Sequence, residues 1–217
     1  MAEILTDTTN DRLTETFIDA TLTPVADETF ASGVTANNKI NASYDEVRDH
    51  TLRNAVVFEA SREVMRLSSD IDFVAPVPTG AIGWAYAIVR QTGRSDLLVL
   101  NLAKQENEKR KFETTVFSEL QIASLIDKAS QEDRRPRGIV VDDVTSDGGT
   151  NEAMADFLVD QGFEITLVMS LLYRGEINRL KMADRKYPRA YLMAKHVPLS
   201  LDWVKRNESG LLTANKN

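Results

Sequence analysis

Residues 138–150 read GIVVDDVTSDGGT, and the fold turns on how that stretch is understood. An apolar run ends in two adjacent acids, Asp142 and Asp143, then breaks into hydroxyl residues and the pair Gly148–Gly149. An apolar run without strict alternation reads as a strand buried on both faces. The glycines end it, and TNEAMADFLVDQG (150–162) continues at helical spacing. A strand that turns directly into a helix leaves backbone N–H groups free at the positive end of the helix dipole. Such a turn binds an anion, and phosphate is the usual one. Ser146 and Thr150 add hydroxyl donors, while Asp142 and Asp143 supply acceptors for sugar hydroxyls or ligands for Mg²⁺. A sugar phosphate satisfies both halves. The plainer reading is a strand-to-helix turn with capping acids, and these residues alone leave both readings open. The chain contains no Walker-type phosphate loop and no dinucleotide-binding glycine fingerprint.

Working outward, IDFVAPV (71–77) reads as a strand, GAIGWAYAIVRQTG (80–93) as a helix closed by Gly93, and DLLVLNLA (96–103) as a strand. KQENEKRKFE (104–113) reads as an exposed charged loop, poor in apolar anchors and free to close as a lid. SELQIASLIDKA (118–129) predicts a helix, with Ser118 and Gln121 placed for a capping box. FEITLVMSLLY (163–173) reads as the strand after the motif's helix. Toward the N-terminus, Val47, Leu52, Val56, Ala60, Val64 and Leu67 recur at helical spacing and predict a helix over 45–67, with Ser43 as its cap. Residues 3–22 read as a weak amphipathic helix and 24–44 as short irregular strands and turns. Strand, crossover helix, strand, repeated, predicts an α/β domain: a parallel sheet flanked by helices, with ligands bound beyond the carboxyl ends of its strands.

The chain has 217 residues and neither repeat nor linker, which predicts one domain. With 42% hydrophobic and 27% charged residues it has the composition of an ordinary globular protein. No apolar stretch approaches the roughly 18 residues of a membrane helix. The polar, acidic opening MAEILTDTTNDRLTE lacks the features of a secretory signal. Absence of cysteine excludes disulfide and thiolate chemistry. A net charge of −7 argues against a nucleic-acid partner. The expectation is a cytoplasmic protein with no membrane partner. His50 and His196 fit no triad or metal spacing and read as structural; Trp84 and Trp203 read as packing residues.

GIVVDDVTSDGGT closely resembles the phosphoribosyl-pyrophosphate (PRPP) motif of type I phosphoribosyltransferases: a hydrophobic strand, two acids, then a turn rich in hydroxyls and glycine. Within that family the chain looks most like the orotate enzymes. FASGVTANNKINA (30–42) is similar to their N-terminal segment, with Asn41 eight positions after Gly33. SLLYRGE (170–176) places Arg174 where they have an arginine. The resemblance implies a type I phosphoribosyltransferase-like sheet (core about 45–173), with a small hood from about 1–44 and 174–217. It implies transfer of ribose 5-phosphate from PRPP to a base, orotate favoured, with Mg²⁺ as cofactor and a homodimer as the assembly. By this resemblance the 5-phosphate falls to the turn Thr145, Ser146, Asp147, Gly148, Gly149 and Thr150. The ribose hydroxyls fall to Asp142 and Asp143, the pyrophosphate to Thr79, Gly80 and the loop cations Lys104 and Lys109, and the orotate carboxylate to Arg174, whose planar guanidinium suits it.

Several positions depart from the family pattern. Asp147 is an acid where the family has a small residue. Thr79 and Ala31 stand where orotate enzymes have lysine, the loop from Ala103 to Lys109 matches in type only at Lys104, and the helix over 118–129 lengthens the connection. These departures keep in play an enzyme for another base, a PRPP-sensing regulator, and a catalytically weakened partner protein.

Overall fold

A computed structural model of the chain describes residues 11–29, 35–66, 71–106, 108, 110–175, 186–195 and 197. Its elements run α1 (Asp11–Thr21), β1 (Leu22–Thr29), β2 (Thr35–Ile40), α2 (His50–Arg66), β3 (Phe73–Pro76), α3 (Ile82–Thr92), β4 (Leu98–Val99), β5 (Ala103–Lys104), β6 (Phe112–Glu113), α4 (Val116–Gln131), β7 (Arg137–Thr145), α5 (Gly149–Asp160), β8 (Glu164–Tyr173) and β9 (Arg189–Ala194). Five strands form the central sheet in the order β4-β3-β7-β8-β9, all neighbours parallel. The predicted parallel α/β sheet is therefore present.

Residue alternation within the buried strands decides which helices cover each face. Val74, Ile139, Val141, Met169 and Leu171 pack with α1, α2 and α3, through Phe17, Val56, Ala60, Trp84 and Ile88. Phe73, Ala75, Val140 and Val168 face the other way, onto Ile122 and Leu125 of α4 and Met154 and Leu158 of α5. Both faces are covered, so these strands carry continuous apolar runs. Trp84 is the packing residue its context implied: fully buried, with its indole N–H donated to the Ala42 carbonyl at 2.6 Å.

The winding of the sheet positions the site. From β3 the chain moves outward to β4, then returns to pair β7 on the other side of β3 and proceeds to β8 and β9. The carboxyl ends of β3 and β7 thus bracket a switch in direction, the crevice where doubly wound sheets bind ligands. At the opposite edge, Asp72 closes the structure. Its carboxylate accepts a bidentate pair from Arg134 at 2.5 and 2.7 Å and the Arg137 N–H at 2.9 Å.

Several boundaries differ from the sequence reading, each for a local reason. The helix expected over 45–67 begins at His50, because Asp49 rather than Ser43 caps it: Asp49 Oδ1 accepts from the Thr51 and Leu52 N–H groups. His50 itself sits at this helix start, hydrogen-bonded to Arg53. The strand expected over 96–103 keeps only β4 in the main sheet. Its end, Ala103–Lys104, pairs antiparallel with Phe112–Glu113, so the loop expected over 104–113 is a short hairpin. Phe112 is buried and anchors that hairpin against α4 and α5, one apolar anchor in a segment expected to be poor in them. Helix α4 starts two residues before the expected 118, capped by Thr115: its hydroxyl accepts the Ser118 N–H, and Ser118 Oγ accepts the Thr115 N–H. The region expected as irregular strands contains the β1–β2 hairpin. Finally β9, within the stretch assigned to the hood, is the edge strand of the central sheet. His196, Trp203, Ala31, Gly33 and residues 176–185 and 198–217 of the expected hood lie outside the described residues. No helix among those described is long and apolar enough to cross a membrane.

Candidate active site

The site is built from three chain segments that the topology brings together. β7 runs into the crevice and ends at Thr145, carrying Asp142 and Asp143 at its tip. Beside it, β3 leads into the loop through Pro78, Thr79 and Gly80, held to β7 by the Val77 N–H donated to the Val141 carbonyl at 2.8 Å. The Pro78–Thr79 peptide is cis, and Thr79 is exposed. A Cβ at Gly80 would collide with the Asp143 carboxylate. Glycine at 80 is what lets the loop backbone approach the acid so closely.

The acid pair is electrostatically loaded. Asp142 is buried, and Asp143 is half-buried beside it. Asp142 Oδ1 accepts the Asp143 N–H at 3.0 Å, and Asp143 Oδ1 accepts the Val144 N–H at 2.9 Å. Burial pushes the Asp142 carboxyl well above the usual carboxylate range; the adjacent Asp143 charge adds to it, and the Asn151 amide offsets a part. Burial also raises Asp143, with the Val144 N–H opposing and Glu46 contributing repulsion. Paired acids with raised proton affinity make this end of the sheet a candidate functional site.

The turn follows directly. Gly148 is the N-cap of α5 at a φ of 79°, a left-handed conformation that favours glycine. Asp147 does not point clear of the turn. Its Oδ1 accepts the Gly149 N–H at 2.9 Å and its Oδ2 accepts from Arg110 Nη2 at 2.7 Å. Burial raises the Asp147 carboxyl, but the Gly149 N–H and then Arg110 outweigh it and leave the group below its usual value.

Arg174 follows the tip of β8, its N–H donated to the Thr145 carbonyl at 2.9 Å. Its guanidinium is buried, with Nη2 donating to Asn38 Oδ1 of β2 at 2.7 Å and to the Val197 carbonyl at 3.3 Å. Burial alone brings its pKa down to about 10. Asp142, Asp143, Gly80, Thr145–Thr150 and Arg174 thus gather at one sheet edge. Lys104 stands apart, exposed on β5 and without an ion pair among the described residues; Lys109 lies outside them. Sequence reasoning missed two cations at the turn, Arg110 and Arg189. Arg110 stood among three consecutive basic residues, and spacing does not say which of them reaches the turn.

No family model and no curated protein matches the chain. Solved structures do. Orotate phosphoribosyltransferase from Aeropyrum pernix is similar at a TM-score of 0.56 and 14% identity, over 81% of this chain and 89% of that one. Adenine phosphoribosyltransferase from Saccharomyces cerevisiae is similar at 0.56 and 13%, over 83% and 98%. The chain has the type I phosphoribosyltransferase fold. UMP synthase from Leishmania donovani shares it at 0.56 and 17%, over 85% of this chain and 36% of that longer one. Within that fold, the Asp142–Asp143 pair and the glycine turn lie at the carboxyl end of β7, beside the switch point between β3 and β7.

Proposed function

We propose that the chain transfers ribose 5-phosphate from PRPP to a ring nitrogen of a base and releases pyrophosphate. One observation carries the reading: the buried Asp142 and half-buried Asp143 meet the glycine turn at the start of α5 and the Gly80 backbone at one end of the sheet. In this assignment Thr145–Thr150 seat the 5-phosphate on the backbone N–H groups at the start of α5 and on hydroxyls. Asp142 and Asp143 accept hydrogen bonds from the ribose hydroxyls, which fixes the sugar ring. The Thr79–Gly80 backbone faces the departing pyrophosphate, with Lys104 and Lys109 as the loop cations assigned to it. Bond cleavage places positive charge on the ribose and negative charge on the leaving group. The acid pair lies beside the first, while the loop and its cations serve the second, so catalysis rests on positioning and charge stabilisation.

Magnesium suits this donor set as an ion that keeps most of its water. Asp143 and substrate oxygens would hold it, and it would neutralise pyrophosphate charge. Among the described residues no three His, Cys, Asp or Glu side chains cluster into a protein cage.

The favoured acceptor is orotate, with Arg174 paired to its carboxylate. A second reading draws on the burial of Arg174 against Asn38 and Val197, which suits an acceptor that lacks a carboxylate. The assembly we assign is a homodimer. Incubation with PRPP, Mg²⁺ and orotate, then with adenine and other bases, tests the reading through pyrophosphate release. Turnover with orotate, together with an Arg174→Ala variant whose KM for orotate rises about tenfold or more at an unchanged KM for PRPP, supports the first reading. Turnover with another base alone supports the second. PRPP binding without turnover moves the chain to the non-catalytic PRPP binders.

A further inference from the structure

The turn between β7 and α5 already holds an anion of its own. Asp147 takes the Gly149 N–H and the Arg110 guanidinium, the two kinds of donor that an incoming phosphate needs. Arg110 belongs to the hairpin loop, with its backbone at a φ of 68°. Its guanidinium lies directly on Gly149, where a Cβ would collide with Nη1. A second guanidinium lies against the neighbouring glycine. Arg189, at the start of β9, is 4% exposed, and a Cβ at Gly148 would collide with its Nη1. Arg189 Nη2 donates to Glu152 Oε1 at 2.6 Å and to the Gly148 carbonyl at 3.5 Å. Its Nε and Nη1, like Arg110 Nε, are buried without a hydrogen-bond partner among the described residues.

Two cations therefore converge on one glycine turn with donor capacity to spare. The carboxylate that fills part of that capacity is more than half exposed, so it can leave at little desolvation cost. A phosphate carries more charge than a carboxylate and offers three acceptor oxygens.

Resting on the phosphoribosyl-transfer reading, we propose that Arg110 is a side-chain ligand of the substrate's 5-phosphate, and that Asp147 is an internal stand-in that yields Arg110 and the Gly149 N–H when that phosphate arrives. The hairpin is then coupled to the sugar-phosphate end of the substrate. Arg189 stays beneath the turn and supplies fixed positive charge. Asp147 sets the affinity, since every phosphate bound must displace it.

Calorimetric titration of the full chain with ribose 5-phosphate tests the exchange. Asp147→Asn keeps an oxygen for the Gly149 N–H and removes the charge, so it leaves the cap in place; it should tighten binding roughly tenfold. Arg110→Gln should weaken binding by about tenfold or more, with Arg110→Lys partly restoring it. Asp147→Asn binding no tighter than wild type, or Arg110→Gln binding equally well, overturns the exchange. Pyrophosphate release from PRPP is read separately. Normal turnover with flat ribose 5-phosphate affinities sinks the exchange and leaves the transferase reading standing. The predicted affinity shifts without turnover on any base do the reverse. Absence of ribose 5-phosphate binding in every variant overturns both.

Discussion

Asp142, which the proposed function assigns to the ribose hydroxyls, shows what a buried acid costs the fold. Its proton affinity is raised by burial first and by Asp143 second, so the folded state binds the proton more tightly than the unfolded state. At neutral pH the ionised carboxylate therefore destabilises the fold, and the cost disappears as pH falls through the raised value toward that of the unfolded chain. Asp142→Asn removes the charge at constant volume. We expect it to raise stability by about 0.5–2 kcal/mol while weakening ribose 5-phosphate binding by about tenfold or more, read by denaturant unfolding and calorimetry. A destabilised variant would show that the carboxylate is structural. The acid pair and its glycines were legible in the sequence because they sit at a strand end, where side-chain type and chain position state the chemistry together. The placement of Asp147 was not, because where its carboxylate points is set by Arg110 on a different element.

Among the elements, α4, β3 and β7 are tied at their far ends by Asp72. The burial of Asp72 raises its carboxyl, but Arg134 and then the Arg137 N–H outweigh burial and leave it below its usual value. A lowered acid contributes stability above its unfolded pKa and loses it as pH falls through the folded one. Asp72→Asn should thus cost about 1.5–3 kcal/mol at pH 7, and the gap to wild type should close in acid below about pH 4, as measured by urea unfolding at both pH values. An equal gap at both would assign the loss to packing. The helices α3, α4 and α5 and strands β3, β7 and β8 were readable from periodicity, since each buries a face against the sheet. Element starts were less so: Asp49 competed with Ser43, and Thr115 with Ser118, for caps of similar chemistry. The β5–β6 hairpin escaped notice because its anchor is the single residue Phe112 within a charged run.

For the molecule as a whole, alternating strands and helices announced a parallel sheet, but strand order is a property of long-range pairing that local patterns do not encode. The edge strand β9 shows the limit. RAYLMA is apolar enough to be a strand, yet no crossover helix among the described residues marks it as part of the βα alternation. With it came Arg189, whose place beneath the turn depends on β9 lying beside β8. The two lips of the crevice come from β3 and β7, which are distant in the chain and adjacent only once paired. Under the proposed function, a sugar phosphate lodged between them would act as a clasp on the central seam of the sheet. Its occupancy should raise the unfolding temperature of the protein in proportion to the logarithm of its concentration, which a thermal-shift titration reads directly. Conversely, any change that slackens the seam, however remote from the crevice, loosens the grip on the ligand: here affinity serves as a gauge of whether the middle of the sheet has closed.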